Sequence, residues 1–336
     1  MLPAETTAEV NSESSVERPR NPFLFIVGCP RSGTTMLKRM INSHSQIAIT
    51  RETHWVPKHF EKGRGVTDRG FVTDRVVDRL FEHHRFLQMK IGQEKLAKFV
   101  SQHEELAYAD LVSHIYDNYG RRKGKPLVGD KTPTYVRKLR TLHTLWPHAK
   151  VIHIIRDGRD VWLSMRQWRM SHKAAGKYST WEVDPVVTTA LWWKALVATG
   201  REDAALFDKG GYKEVHYDAL VDSPQEKCID LAHFMGVPHE ESMEKFYEGK
   251  TVHDTDLSTN AAWLPPTPGR RNWKTQMHSE EVERFEAVAG DLLEDLGFER
   301  VSGEPSRKLR RHVNDLQQQF AGEIGSHWQL PESWWN

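Results

Sequence analysis

Residues 25–35 read FIVGCPRSGTT, an apolar run that ends in Gly28 and is followed five positions later by Gly33 and two threonines. This is the outline of a phosphate-binding loop, G-x-x-x-x-G-K-[ST], with Thr34 where the lysine belongs. At a strand-to-helix turn of this kind, backbone N–H groups converge and the helix dipole favours an anion, the dipole by roughly 0.3–1 kcal/mol. Arg31 adds a permanent charge in a forked geometry suited to phosphate or sulfate, and Ser32, Thr34 and Thr35 add hydroxyls. In ATP-using loops the lysine pairs with the β- and γ-phosphates, and the next Ser or Thr holds Mg²⁺. Without that cation the loop suits a 5′-phosphate bearing a less highly charged group, and sulfate is such a group. The plainer reading is a tight turn of any α/β protein. It leaves the charge, three hydroxyls and glycine of PRSGTT unaccounted for.

A second candidate anion site lies in KVIHIIRDGRDVWLSM, where the first charge after the apolar run is Arg156. Ligands of open α/β sheets bind outside the carboxyl ends of the strands, so Arg156 is placed to enter the site. Ser164 follows eight residues later on the next helix and can point back to the same place. An arginine with a hydroxyl makes a compact phosphate clamp. The competing use for Arg156 is an ion pair with Asp157 or Asp160.

The elements needed to hold these residues follow from the hydrophobic pattern. Residues 23–27 read as a buried parallel strand, and beyond Gly33 the positions of Met36, Leu37, Met40 and Ile41 fall on one helical face. Short strands are expected at 46–50, 126–129 and 213–217, with the strongest signal at 150–155. Helices are expected at 106–119, 134–146, from Gly158 onward, at 185–207 and at 279–296. Another should open at Ser223-Pro224-Gln225-Glu226, which has the form of a capping box with proline at the first helical position. Alternating strands and helices imply an α/β fold with a central parallel sheet flanked by helices. The polar, basic stretch 51–125 reads as a helical insertion between the second and third strands, and 252–271 as a proline-rich loop. The expected organisation is a disordered tail over 1–20, one domain over about 21–300 and a helical extension over 301–336.

Composition narrows the function classes. The chain has 336 residues, 38% hydrophobic and 28% charged, as ordinary soluble proteins do. A net charge of +1 argues against nucleic acid as a partner. Two cysteines, Cys29 and Cys228, cannot make a disulfide framework, so a reducing, cytoplasmic setting is expected. No stretch has the length of a membrane span, and the first twenty residues lack the apolar centre of a signal peptide. Neither HExxH nor a cysteine–histidine cluster appears, and no metal is expected.

Taken together, the two anion sites resemble those of sulfotransferases that use 3′-phosphoadenosine 5′-phosphosulfate (PAPS), a family with a P-loop nucleotide-hydrolase-like fold. That resemblance gives Arg31, Ser32, Gly33, Thr34 and Thr35 to the 5′-phosphosulfate, and Arg156 and Ser164 to the 3′-phosphate. HYDALVDSP (216–224) resembles the family's YEDL-x-x-x-P junction and brings in Tyr217. GRRNWKTQM (269–277) resembles the basic loop that closes over the nucleotide, bringing in Arg271, Trp273 and Lys274. Lys131, in VGDKTPTY, resembles the lysine that assists the leaving oxygen in members acting on sugars, with Tyr135 lining the site. Glu52, in TRETHWVP, resembles the glutamate of sugar-modifying and tyrosine-modifying members and is the chosen general base, with His54 its rival. Members acting on small molecules carry a histidine two residues after the lysine. Pro133 stands there in this chain. A carboxylate serving as base would need burial to hold a useful pKa.

The acceptor is a hydroxyl on a glycan, a peptide tyrosine or a small molecule, and the sequence does not choose among them. Trp55, Trp168, Trp181 and Trp263 fall in segments expected near the cleft mouth, whereas Trp192 and Trp193 sit in an apolar helix and read as core. His83 and His84 read as surface residues. In the extension, Leu309, Val313, Leu316 and Phe320 form an amphipathic stripe that packs on its own domain or serves a homodimer. Two other functions compete: a phosphate-loop kinase or nucleotidase using ATP, which Thr34 disfavours, and a non-catalytic nucleotide- or glycan-binding module.

Overall fold

A computed structural model describes residues 20–248, 264–269, 271–325 and 328–335. The tail over 1–19, most of the proline-rich loop and Trp263 lie outside the described residues. Five strands form one sheet: β1 (Leu24–Gly28), β2 (Ile47–Ile49), β3 (Leu127–Lys131), β4 (Lys150–Ile155) and β5 (Tyr212–His216). Their order is β2-β3-β1-β4-β5, and every neighbouring pair is parallel. From β1 the chain moves toward β2, and from β4 it moves the other way toward β5. The order therefore reverses between β1 and β4, and the crevice at their carboxyl ends is where an open α/β sheet takes a ligand. Register aligns those ends: Ile26 lies opposite Lys131, and Gly28 opposite Ile154.

β1 is buried along its whole length because helices cover both faces of the sheet. On one face, Met36, Leu37, Met40 and Ile41 of α1 (Thr34–Ser43) pack with Leu231, Met235 and Phe246. On the other runs the helix Pro185–Asp203, buried on nearly all sides between the sheet, the helix Ser279–Asp295 and the helix Arg307–Ile324. Asp184 caps that long helix by accepting from the N–H groups of Val186 and Val187, both at 3.1 Å. The insertion between β2 and β3 holds five helices, from Val56–Glu61 to Tyr108–Lys123.

Three local readings change. The third strand runs on to Lys131, so this lysine ends a strand rather than following one. The helix expected at 134–146 opens as a 3₁₀ turn, Pro133–Lys138, before the α-helix Leu139–Leu145. Ser223 makes no side-chain cap, and its own N–H closes the preceding turn onto Ala219 at 3.0 Å, which takes from Glu226 the donor a capping box needs. A reciprocal capping box forms instead at His278 and Glu281.

The C-terminal extension belongs to the same core. Val313, Leu316, Phe320 and Ile324 are buried, and Phe320 stacks with Trp334. The indole of Trp334 donates to the carbonyl of Leu191, and that of Trp328 to the hydroxyl of Thr199. Among the described residues, no helix is long and apolar enough to cross a membrane.

Candidate active site

The loop between β1 and α1 is shaped by close approach. Gly28 has φ +150°, and a Cβ there would lie 2.4 Å from the carbonyl oxygen of Ile154. Gly33, with φ +94°, opens α1 without any side-chain cap, and a Cβ on it would lie 2.4 Å from the Tyr217 ring. Both positions exclude every larger residue. The backbone N–H groups at the head of α1 are thus left to a ligand. The Ser32 hydroxyl is buried without a hydrogen-bond partner. Arg31 adopts φ 80°, a left-handed conformation that a side chain rarely takes.

That conformation sends Arg31 across the crevice. Its Nε donates to the hydroxyl of Ser164 at 2.9 Å, and its guanidinium lies 5.0 Å over the Trp168 ring. The two anion sites read separately in the sequence are therefore physically joined. Burial, with Arg271 and Arg156 nearby, lowers the Arg31 pKa to about 10, as expected where cations crowd around space for an anion.

Arg156 directly follows β4 and is nearly fully buried. One of its terminal nitrogens pairs with Asp160 at 3.0 Å, while Asp157 is taken by Arg159 at 2.7 Å. Its guanidinium rests 4.2 Å over the Tyr217 ring, and its Nε is buried without a partner. The ion pair with Asp160 thus orients Arg156 without using up its donors. Burial raises the Asp160 pKa to about 6, against the opposing pull of Arg156. The backbone N–H of Trp273 also donates to Asp160, at 3.0 Å.

Glu52, Lys131 and His54 meet. The Lys131 amino group donates to Glu52 Oε1 at 2.7 Å, and His54 Nε2 lies 3.2 Å from Oε2. Burial pushes the Glu52 carboxyl up, yet Lys131 and His54 outweigh it and hold the group well below the usual carboxylate range. The raised pKa expected of a base is absent, and the ion pair is the reason. Asp130 arranges this triad from beneath. It is fully buried and accepts from the hydroxyls of Thr50, Thr53, Tyr116 and Thr132. The Thr132 hydroxyl also accepts from the Thr53 N–H at 3.0 Å, and the Thr53 and Tyr135 hydroxyls lie 2.7 Å apart. These bonds fasten the Glu52 segment to the end of β3.

Arg31, Gly33, Thr34, Thr35, Glu52, His54, Lys131, Arg156, Ser164, Tyr217 and Arg271 all line one cavity of about 970 Å³. Ser32, Trp273 and Lys274, all expected in the site, stand apart from its wall, as does Tyr135. Trp273 is buried with its ring 3.5 Å from the guanidinium of Arg159, and Lys274 is exposed and paired with Glu299 at 2.6 Å. Trp273 braces Asp160 and Arg159 instead. Trp55 also leaves the expected cleft mouth: it is fully buried, edge-on to Phe86. Trp168 lines the cavity; Trp192 is buried in the core and His84 is exposed, as read, and both also reach the cavity wall. Trp181 packs on Trp162.

Sequence reasoning missed Lys38, one helical turn beyond Thr34 on the face toward the cavity. Burial, with Lys131 and Arg51 close by, brings its pKa down to about 7. The spacing of four from Thr34 was the available signal. It also missed Arg137 and Lys177 on the cavity wall, and Asp130, whose four hydroxyl partners come from three segments, around 50–53, 116 and 132. Among the described residues, no three His, Cys, Asp or Glu side chains gather as a metal-holding group.

Protein-tyrosine sulfotransferase 1 of Danio rerio is 26% identical over 304 residues, covering 85% of this chain and 74% of its own. Protein-tyrosine sulfotransferase 1 of Homo sapiens is 24% identical over 331 residues, covering 93% and 78%. Among solved structures, the sulfotransferase domain from the curacin biosynthetic pathway overlays with a TM-score of 0.55 at 21% identity, covering 84% of this chain and 99% of that one. It is similar in fold. The model of the sulfotransferase family matches residues 22–241, and with that span, the whole sheet, the β1–α1 loop, Arg156 and Ser164 included, the chain belongs to the sulfotransferase family.

Proposed function

We propose that this sulfotransferase moves a sulfuryl group from PAPS to an acceptor hydroxyl, with Glu52 as general base and Lys131 assisting the leaving oxygen. The observation carrying the reading is one cavity that holds two joined anion sites beside a carboxylate–ammonium pair. A nucleotide with anions at both ends fits the uncapped head of α1 at the loop and Arg156 Nε at the β4 end, which is buried without a protein partner. Ser32, Gly33, Thr34 and Thr35 would hold the 5′ end, and Arg156 and Ser164 the 3′ end, with Arg31 between them. When bound, the donor supplies an activated sulfuryl group on a phosphate leaving group.

Each residue's part follows from its surroundings. Glu52 is ionised at neutral pH and can accept the acceptor's proton as that oxygen bonds to sulfur. The bond from sulfur to the 5′-phosphate oxygen breaks, and the charge left on that oxygen is met by Lys131. Lys131 cannot serve the carboxylate and the leaving oxygen equally. As it turns to the latter, Glu52 loses its strongest partner and gains basicity when a base is needed. His54 touches the same carboxylate and is the other group able to carry the proton. Among glycan, small-molecule and tyrosine hydroxyls, the relatives named protein-tyrosine sulfotransferases favour tyrosine.

Thermal shift tests the donor. 3′,5′-ADP should raise the melting temperature by several degrees and Mg-ATP much less. Equal shifts would return the loop to ordinary ATP chemistry. Transfer from labelled PAPS to a panel of phenols, tyrosine peptides and glycans would then identify the acceptor.

A further inference from the structure

We propose that Lys38 is a further catalytic residue, whose ammonium contacts the transferring sulfuryl group and supplies the cation that Thr34 withholds from the loop. The proposal rests on the sulfotransferase reading above and adds to it the residue that tells the sulfated donor from its spent product.

Position in the helix comes first. Lys38 lies four residues after Thr34 and three after Thr35 on α1, and all three line the cavity that also holds Glu52 and Lys131. Four residues span about 6 Å along a helix axis, and helical side chains lean back toward the N-terminus. The four-carbon stem of a lysine covers about that distance, so its amino group can return to the head of α1. In an ATP-using loop the lysine stands where Thr34 is and reaches the terminal phosphates from there. Here the same charge starts one turn later and arrives on the side of Glu52 and Lys131, where the sulfuryl group must pass.

The surroundings of Lys38 call for an anion. The side chain is partly buried and makes no hydrogen bond or ion pair among the described residues. The charged groups that act on it are Lys131 at the end of β3, Arg51 and Glu52 after β2, and Arg39 beside it on α1. Three of the four are cations. The carboxylate of Glu52 is already divided, with Oε1 accepting from Lys131 at 2.7 Å and Oε2 lying 3.2 Å from His54. Burial and the neighbouring cations bring the Lys38 pKa down to about 7, and the opposing pull of Glu52 does not offset them. An anion arriving within reach favours the ammonium and offsets the cost of holding it there. As the acceptor oxygen bonds to sulfur and its proton passes to Glu52, the bond to the 5′-phosphate oxygen breaks. Lys131 meets the charge on that leaving oxygen, whereas Lys38 holds the peripheral oxygens of the group that moves.

Calorimetry on the full chain tests this with PAPS and with 3′,5′-ADP, which lacks the sulfuryl group. Lys38→Met keeps the stem and removes the charge. Below the Lys38 pKa it should bind PAPS roughly 10–100-fold more weakly than the wild type and 3′,5′-ADP equally well. Unchanged 3′,5′-ADP affinity shows that fold and clamps are intact, and Lys38→Arg should keep most of the affinity for PAPS. As the pH rises through about 7 the free protein loses the ammonium. The ratio of PAPS affinity to 3′,5′-ADP affinity should therefore fall in the wild type and stay level in Lys38→Arg. An equal loss of both ligands in Lys38→Met, an unchanged affinity for PAPS, or a ratio that rises with pH overturns the proposal. A wild type that binds both ligands while Lys38→Met alters neither keeps the donor reading and loses Lys38. A wild type that binds neither ligand overturns both.

Discussion

The two ends of the cavity are built in different ways. At the end proposed for the donor, the groups come from the loops that follow β1 and β4, and much of the work falls to backbone: uncapped N–H groups on α1 and two glycines too crowded to carry a side chain. At the end proposed for the acceptor, the groups are side chains from the Glu52 segment, β3 and the turn after it, and buried hydroxyls around Asp130 tie the Glu52 segment to β3. On the proposed function, the first design serves a constant ligand with short local motifs. The second can be altered by changing one side chain at a time. A common donor and a variable acceptor call for that division.

Substitutions at the two ends should therefore fail differently. The largest effect is expected at the acceptor end. Glu52→Gln keeps shape and burial but cannot take a proton, so kcat should fall by about 10²–10⁴-fold while 3′,5′-ADP affinity is kept. Unchanged turnover would pass the role of base to His54. Lys131→Ala should lower kcat by about 10²–10³-fold if it meets charge on the leaving oxygen. A loss confined to KM would make it a binding residue instead and blur the contrast between the ends.

At the donor end the loss should appear in affinity. Arg156→Ala removes a buried donor in place beside Tyr217 and Asp160, and calorimetry should find 3′,5′-ADP bound roughly 10–100-fold more weakly. Unaltered affinity would remove Arg156 from the clamp and leave a single anion site. Part of this loss reflects Asp160, which Arg156→Ala deprives of its partner. A cycle with Asp160→Asn separates the two contributions.

The smallest effect concerns the insertion that frames the acceptor end. The His59 imidazole is fully buried, and burial lowers its pKa from 6.5 to about 4. Because the folded value lies below the unfolded one, the contribution to stability is present above pH 6.5 and is lost as the pH falls toward 4. His59→Phe should flatten the acid side of the stability profile in urea titrations at stepped pH. An unchanged slope would assign the acid sensitivity to other groups.

The donor end was legible because its signals are short and covalently local. Arg31, Gly33 and Thr34 fall within four positions, and Arg156 is fixed to the sheet edge by the apolar run before it. The link between Arg31 and Ser164 was not legible, because it depends on a left-handed residue that no local pattern announced. At the acceptor end Glu52 and Lys131 could each be picked out, but their contact could not. Their separation in the chain is closed only by the β2-β3 pairing. Lys274 and Trp273 read alike in a basic loop, yet one faces solvent and the other is buried against Arg159.

By itself, then, the sequence determined the alternation of strands and helices, the anion loop without a lysine, and an arginine at the end of the strongest strand, all of which depend on residues close along the chain. Tertiary structure alone decided that Lys131 would suppress the basicity of Glu52, that Asp130 would bind four hydroxyls, and that Lys38 would meet Lys131 and Arg51. The physical reason is that charge interaction and burial depend on distance through space, and strand order brings together groups that the chain keeps far apart.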